Sequence, residues 1–67
     1  MTNEEAKDAL FRKSPVTCKG IDYRQISAII YRLNQAGNLM ITAELLDKNT
    51  WSVTFAQLKD VTLTHDQ

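Results

Sequence analysis

QISAIIYRL, residues 25–33, is the stretch whose reading decides the fold. Its apolar, β-branched and aromatic residues follow a period of two, with Ile26, Ala28 and Ile30 on one side and Ser27, Ile29, Tyr31 and Leu33 on the other. Both sides are largely apolar, so a central strand is predicted. Working outward, Asn34-Gln35-Ala36-Gly37-Asn38 is a hairpin loop of turn-forming residues, and Leu39 to Leu46 returns with Leu39, Ile41, Ala43 and Leu45 on one face. Met40, Thr42 and Glu44 take the wetter face. A further turn, Asp47 to Thr50, leads into an alternation in which Trp51, Val53 and Phe55 oppose Ser52, Thr54 and Ala56. The shared parity points Trp51, Val53 and Phe55 inward, with Trp51 near enough to the hairpin end to be partly exposed. One helical turn over 57–61, a last strand from Thr62 to Thr64, and a frayed tail over 65–67 complete this side.

On the other side, Val16 to Cys18 and Ile21 to Tyr23 form a short hairpin about Lys19-Gly20, with Gly20 supplying positive φ. Before it, Thr2 and Glu5 make a capping-box pair, Glu4, Glu5 and Asp8 suit the positive end of a helix dipole, and Arg12 and Lys13 suit the other end. A helix over 2–13 follows. Ala6, Ala9 and Leu10 form its narrow apolar stripe, Phe11 adds a second contact, and Ser14 is driven out of helical geometry by Pro15. One domain, 1–67, is expected, of α+β, mainly β class. Its order is an N-terminal helix over 2–13 and then an antiparallel meander of about five strands over 15–64, rolled into an SH3-like small barrel. An open sheet with the helix on one face is the structural rival.

The chain has 67 residues, which excludes a catalytic cleft between two lobes and commits nearly every large apolar side chain to one small core. Eight basic residues cancel eight acidic ones, so the basic excess of a dedicated nucleic-acid binder is missing. Weak charge repulsion favours self-association or a protein partner. Cys18 is the single cysteine, too few for an internal disulfide or a Cys/His metal site, and a reducing cytoplasm is expected. The first eleven residues, MTNEEAKDALF, are charged where a secretory signal is apolar, and no apolar run approaches the span of a bilayer. No membrane partner is expected.

The segments PVTCKGIDYRQISAIIYR (15–32), AELLDKN (43–49) and SVTFAQLKDV (52–61) resemble short uncharacterised proteins encoded in phages and other mobile elements of Gram-positive bacteria. The resemblance spans residues 2–63. Its most distinctive part is Gly20 through Tyr23 followed by Ser27-Ala28-Ile29-Ile30-Tyr31-Arg32. It implies a small accessory protein of a bacterial cytoplasm that binds a host factor, and it brings no catalytic or ligand-binding residues with it. The acidic Ala-Leu-Tyr-Asp-Tyr loop and the paired Trp-Trp of signalling SH3 domains are missing, so proline-motif recognition is not expected.

No residue pattern supports catalysis, a metal or a cofactor. His65 lies in the tail, Cys18 alternates onto an apolar face, and Asp22, Glu44, Asp47 and Asp60 are scattered without paired spacing. Gly20 and Gly37 are turn glycines and not a phosphate loop. The expectation is a non-enzymatic interaction protein that uses Tyr31, Met40, Trp51 and Tyr23 to bind a protein partner or itself, since aromatic rings with a polar tip commonly anchor binding surfaces. One alternative is a barrel that binds single-stranded nucleic acid, with Lys19, Arg24 and Arg32 on phosphates. Another is sequestration of a small anionic host signal by the same cations.

Overall fold

The computed structural model describes residues 1–64. Helix α1 (Asn3–Arg12) is followed by strands β1 (Val16–Cys18), β2 (Ile21–Tyr23), β3 (Gln25–Leu33), β4 (Leu39–Leu46) and β5 (Val53–Gln57), a 3-10 turn (Leu58–Asp60) and β6 (Val61–Leu63). The class is α+β and mainly β, as the periodicities require. The strands make two three-stranded antiparallel sheets, ordered β2-β1-β6 and β3-β4-β5. Six strands in two sheets replace the expected five-stranded meander, and no ladder closes them into a barrel. The reason is local: Arg24 alone separates β2 from β3, its amide donates to the Leu46 carbonyl at 2.8 Å, and the ribbon bends there from one sheet into the other. The chain ends meet when β6 pairs with β1, Cys18 opposite Val61 and Val16 opposite Leu63.

The helix starts where the capping box places it. The Thr2 hydroxyl accepts from the Glu5 amide at 3.1 Å, and the Glu5 carboxylate accepts from the Thr2 amide at 2.7 Å. The Thr2 amide foremost, with the Thr2 hydroxyl beside it, holds the Glu5 carboxyl below its ordinary range. The helix stops at Lys13, whose left-handed conformation lets its amide reach back to the last helical turn. Thr2→Ala removes the acceptor for an otherwise orphaned amide and is expected to cost about 1 kcal/mol. Urea denaturation followed by circular dichroism checks it, and an unchanged midpoint would mean that the cap is redundant.

Lys19 and Gly20 both have positive φ, at 52° and 80°, so the β1–β2 turn is the mirror-image type that matches strand twist. Between β3 and β4, the Asn34 side-chain oxygen accepts from the amides of Ala36 and Asn38, both at 2.9 Å, and Gly37 takes the positive φ. The register of this hairpin corrects the parity read from the sequence. Ile26 faces Leu45, but Ala28 faces Glu44, so Ser27 is an extra residue, a bulge. After it the faces exchange. Ile29, Tyr31 and Leu33 join Ile26 on the side of Leu45, Ala43, Ile41 and Leu39, while Ala28, Ile30 and Arg32 turn away. The Ser27 hydroxyl donates to Glu44 Oε1 at 2.7 Å, which gives the bulge a polar anchor.

The core comprises Ala6, Ala9, Val16, Cys18, Tyr23, Ile26, Ala43, Leu45, Leu58 and Val61. No polar or charged side chain is buried among the described residues. Ala6 and Ala9 face inward because a methyl group lets α1 approach β3 closely, and Leu10 packs at the margin. Phe11 does not supply the expected second contact. It lies two positions past Ala9, on the solvent side of the helix, and is exposed.

Candidate interaction surface

β4 outruns its neighbour on one side. β5 pairs only with Thr42 to Leu46, so from Tyr31 through Ile41 the β3–β4 hairpin is two-stranded. Every residue from Tyr31 to Met40 is exposed, and Leu33, 71% exposed, sits directly opposite exposed Leu39. Because a two-stranded ribbon has no third strand to cover it, its apolar pairs remain in water. The arm lengthens the molecule, whose extents are 40 × 22 × 21 Å. Its root is tied to the helix: the Tyr31 hydroxyl donates to Asn3 Oδ1 at 2.5 Å. Met40 borders a shallow hollow of about 360 Å³ shared with Met1, Asn3 and Leu58.

A second apolar area lies beside β5. Phe55 pairs with Glu44 and Val53 with Leu46, so both side chains occupy the outer face, and Phe55 is 58% exposed. The inward orientation expected for Trp51, Val53 and Phe55 is thus overturned, since period two defines two faces without saying which one meets the core. Trp51, 80% exposed, precedes β5 on a loop that Asp47 stiffens. One Asp47 carboxylate oxygen accepts from the amides of Asn49 and Thr50 at 2.8 and 2.9 Å, and these bonds, with Arg24 a smaller cause, hold its pKa below the ordinary carboxylate value. The Arg24 guanidinium lies 5.4 Å from the centre of the Trp51 ring and donates to the Lys48 carbonyl at 2.6 Å.

Of the aromatic candidates, Tyr31 and Trp51 are therefore displayed, and Met40 with them. Tyr23 is only 8% exposed and packs in the core opposite Val16, which removes it from the surface set. The cations do not assemble. Lys19 is in the β1–β2 turn and Arg24 is at the bend. Arg32 lies eight residues further on, near the tip of the arm, roughly 25 Å away at the rise of an extended strand. Arg24 and Lys48 do flank a hollow of about 320 Å³, but Asp22 lines it too. Cys18 is buried, and no group of three or more His, Cys, Asp or Glu among the described residues could hold a metal ion. His65 and the rest of the tail lie outside the described residues. No described helix is long and apolar enough to cross a membrane.

Sequence reasoning missed Leu33, Leu39, Val53 and Phe55 as surface residues. One signal was available: a hairpin of nine-residue β3 and eight-residue β4 followed by a five-residue β5 leaves part of the longer hairpin without a third strand. Comparison with protein-family models, with curated proteins and with solved structures finds no match to this chain.

Proposed function

We propose that the protein is a small non-enzymatic interaction module whose exposed apolar surface is covered by protein, either a second copy or a partner. The observation that carries this reading is the arm: a ten-residue exposed run, Tyr31 to Met40, in which two leucines oppose each other in water. A chain this small has little apolar surface to spare from its own core, and an uncompensated patch of this kind marks an interaction site. Near-neutral charge supports the same reading, because nothing in the net charge opposes association. The resemblance to mobile-element proteins suggests an accessory role in which the partner is a host protein.

The nucleic-acid reading needs a continuous track of cations, and Lys19, Arg24 and Arg32 stand at three separate places. Light scattering across micromolar to millimolar concentrations tests self-association, and capture of proteins by the tagged chain tests a partner. Leu33→Lys/Leu39→Lys is expected to release a captured partner while leaving the fold intact, since both side chains are already solvated. A wild-type chain that stays at the monomer mass and holds nothing the double variant releases would sink the proposal.

A further inference from the structure

We infer that the cleft between the two sheets binds a small apolar carboxylate, with Lys19 and Lys59 as its counter-charges. The cleft has a volume of about 520 Å³, larger than the hollows beside Met40 and Arg24. It shares no residue with the arm at 31–40, so the site goes beyond the interaction reading.

Topology makes this cleft. β2 is bonded only to β1 and β5 only to β4, and no strand joins the two, so the sheets part along these edges. Residues from both faces of β5 line the cleft, Thr54 and Ala56 from one and Phe55 and Gln57 from the other, so it runs along the open edge of the strand. The ladder phase turns the Phe55 N–H outward on that edge. Asp47 N–H donates to the Ser52 carbonyl at 3.0 Å, and in an antiparallel pair every second opposed pair is hydrogen-bonded, so 45/54 and 43/56 carry the bonds to β4. Cys18 and Tyr23, both buried, form the floor. Ile21 on one sheet and Phe55 on the other form apolar walls, and each is more than half exposed. A ligand with an apolar body removes both from water.

Charge selects the ligand's head group. Lys19, Lys59 and Asp60 complete the lining, the first from the β1–β2 turn and the others from the 3-10 turn, so segments remote in sequence bring two ammonium groups to one cleft. Neither lysine is ion-paired: the two ion pairs among the described residues both lie on α1. Two cations against one acid leave a single positive charge, which matches a monoanion and neither a cation nor a phosphate dianion. Lys19 has φ 52°, a left-handed conformation that Asn or Gly adopts at lower cost, and side chains kept in such conformations cluster at binding sites. The turn thus holds an ammonium group at the rim at some expense to the fold. Apolar walls with a few convergent polar groups, in a volume of this order, are the common features of small-molecule sites.

Titration of the isotope-labelled full chain with sodium decanoate, followed through its amide NMR shifts, tests the site. Saturable shifts are expected at residues 18–23 and 54–60. Butyrate keeps the head group and loses most of the tail, whereas decyltrimethylammonium keeps the tail and reverses the charge. Each should bind at least tenfold more weakly than decanoate. Lys19→Asn/Lys59→Gln is expected to weaken decanoate at least tenfold while the urea midpoint holds or rises, because Asn suits the left-handed turn position. Lysines that served only the fold would lower that midpoint and leave the affinity alone. Leu33→Lys/Leu39→Lys should bind decanoate as the wild type does. No saturable shift, shifts centred on the arm, equal affinity for either other probe, or unchanged affinity in the lysine variant overturns the site. None of these outcomes bears on partner capture or self-association, which test the interaction reading separately.

Discussion

Leu45→Ala is expected to leave much of the chain unfolded at room temperature. Leu45 is fully buried on the middle strand of its sheet, opposite Ile26 on one neighbour and Thr54 on the other. Truncation removes transfer energy and leaves a cavity that a sheet cannot close without losing register, at a cost of about 2–5 kcal/mol. A domain of this length has, at roughly 0.05–0.15 kcal/mol per residue, only about 3–10 kcal/mol in total. One residue thus holds between about a fifth of the margin and all of it. Urea titration followed by far-ultraviolet circular dichroism should show a truncated or absent native baseline. A midpoint close to that of the wild type would mean that the surrounding side chains collapse into the gap, and that the core is softer than its burial implies.

Ala6→Asp attacks a different contact. Ala6 has no exposed surface and lies on the helix face turned to the sheet, among core residues that include no polar side chain. A carboxylate there would lose its hydration without gaining a partner, so it must be protonated, or the helix must leave the sheet; either costs several kcal/mol. Undocking is the expected outcome, with loss of the helical signal and binding of a hydrophobic dye to the uncovered side of Ile29. Lowering the pH through the carboxylate range should partly restore the fold, because the neutral acid is cheaper to bury. The sign is that of a group whose folded-state pKa is raised: its penalty grows as pH rises through the ordinary carboxylate value and fades below it. An Ala6→Asp chain as stable as the wild type at neutral pH would show that α1 contributes little to the fold.

Local rules made much of this architecture legible. The capping box placed the helix start, Pro15 its end, Lys19-Gly20 the first turn and the Asn/Gly cluster the second, and the bounds of β1 to β4 agree with the periodic runs. What escaped has two physical origins. A one-residue bulge at Ser27 exchanges the faces of everything after it, yet Ser27 looks in sequence like any other member of the alternation. The pairing of β6 with β1 joins segments more than forty residues apart, and no local propensity encodes it. The surface was legible in the same uneven way. Tyr31 and Met40 were found because their strands carry surplus apolar residues. Tyr23 was mistaken for a surface anchor because a tyrosine at the end of a three-residue strand carries no mark of which sheet it will pack under. Trp51 was assigned inward by parity, whereas its position is set by Arg24 and by the Asp47-capped loop.

The placement of two singular side chains determines how this protein will report on itself. Trp51, already in solvent, will change its emission little when the fold is lost, so the usual optical signal is blind here. Cys18, the sole thiol, is buried between its cross-strand partners Ile21 and Val61 at the bottom of a cleft, and an alkylating reagent reaches it freely only when that part of the sheet opens. Its modification rate therefore counts those openings directly, with no foreign label attached to the chain.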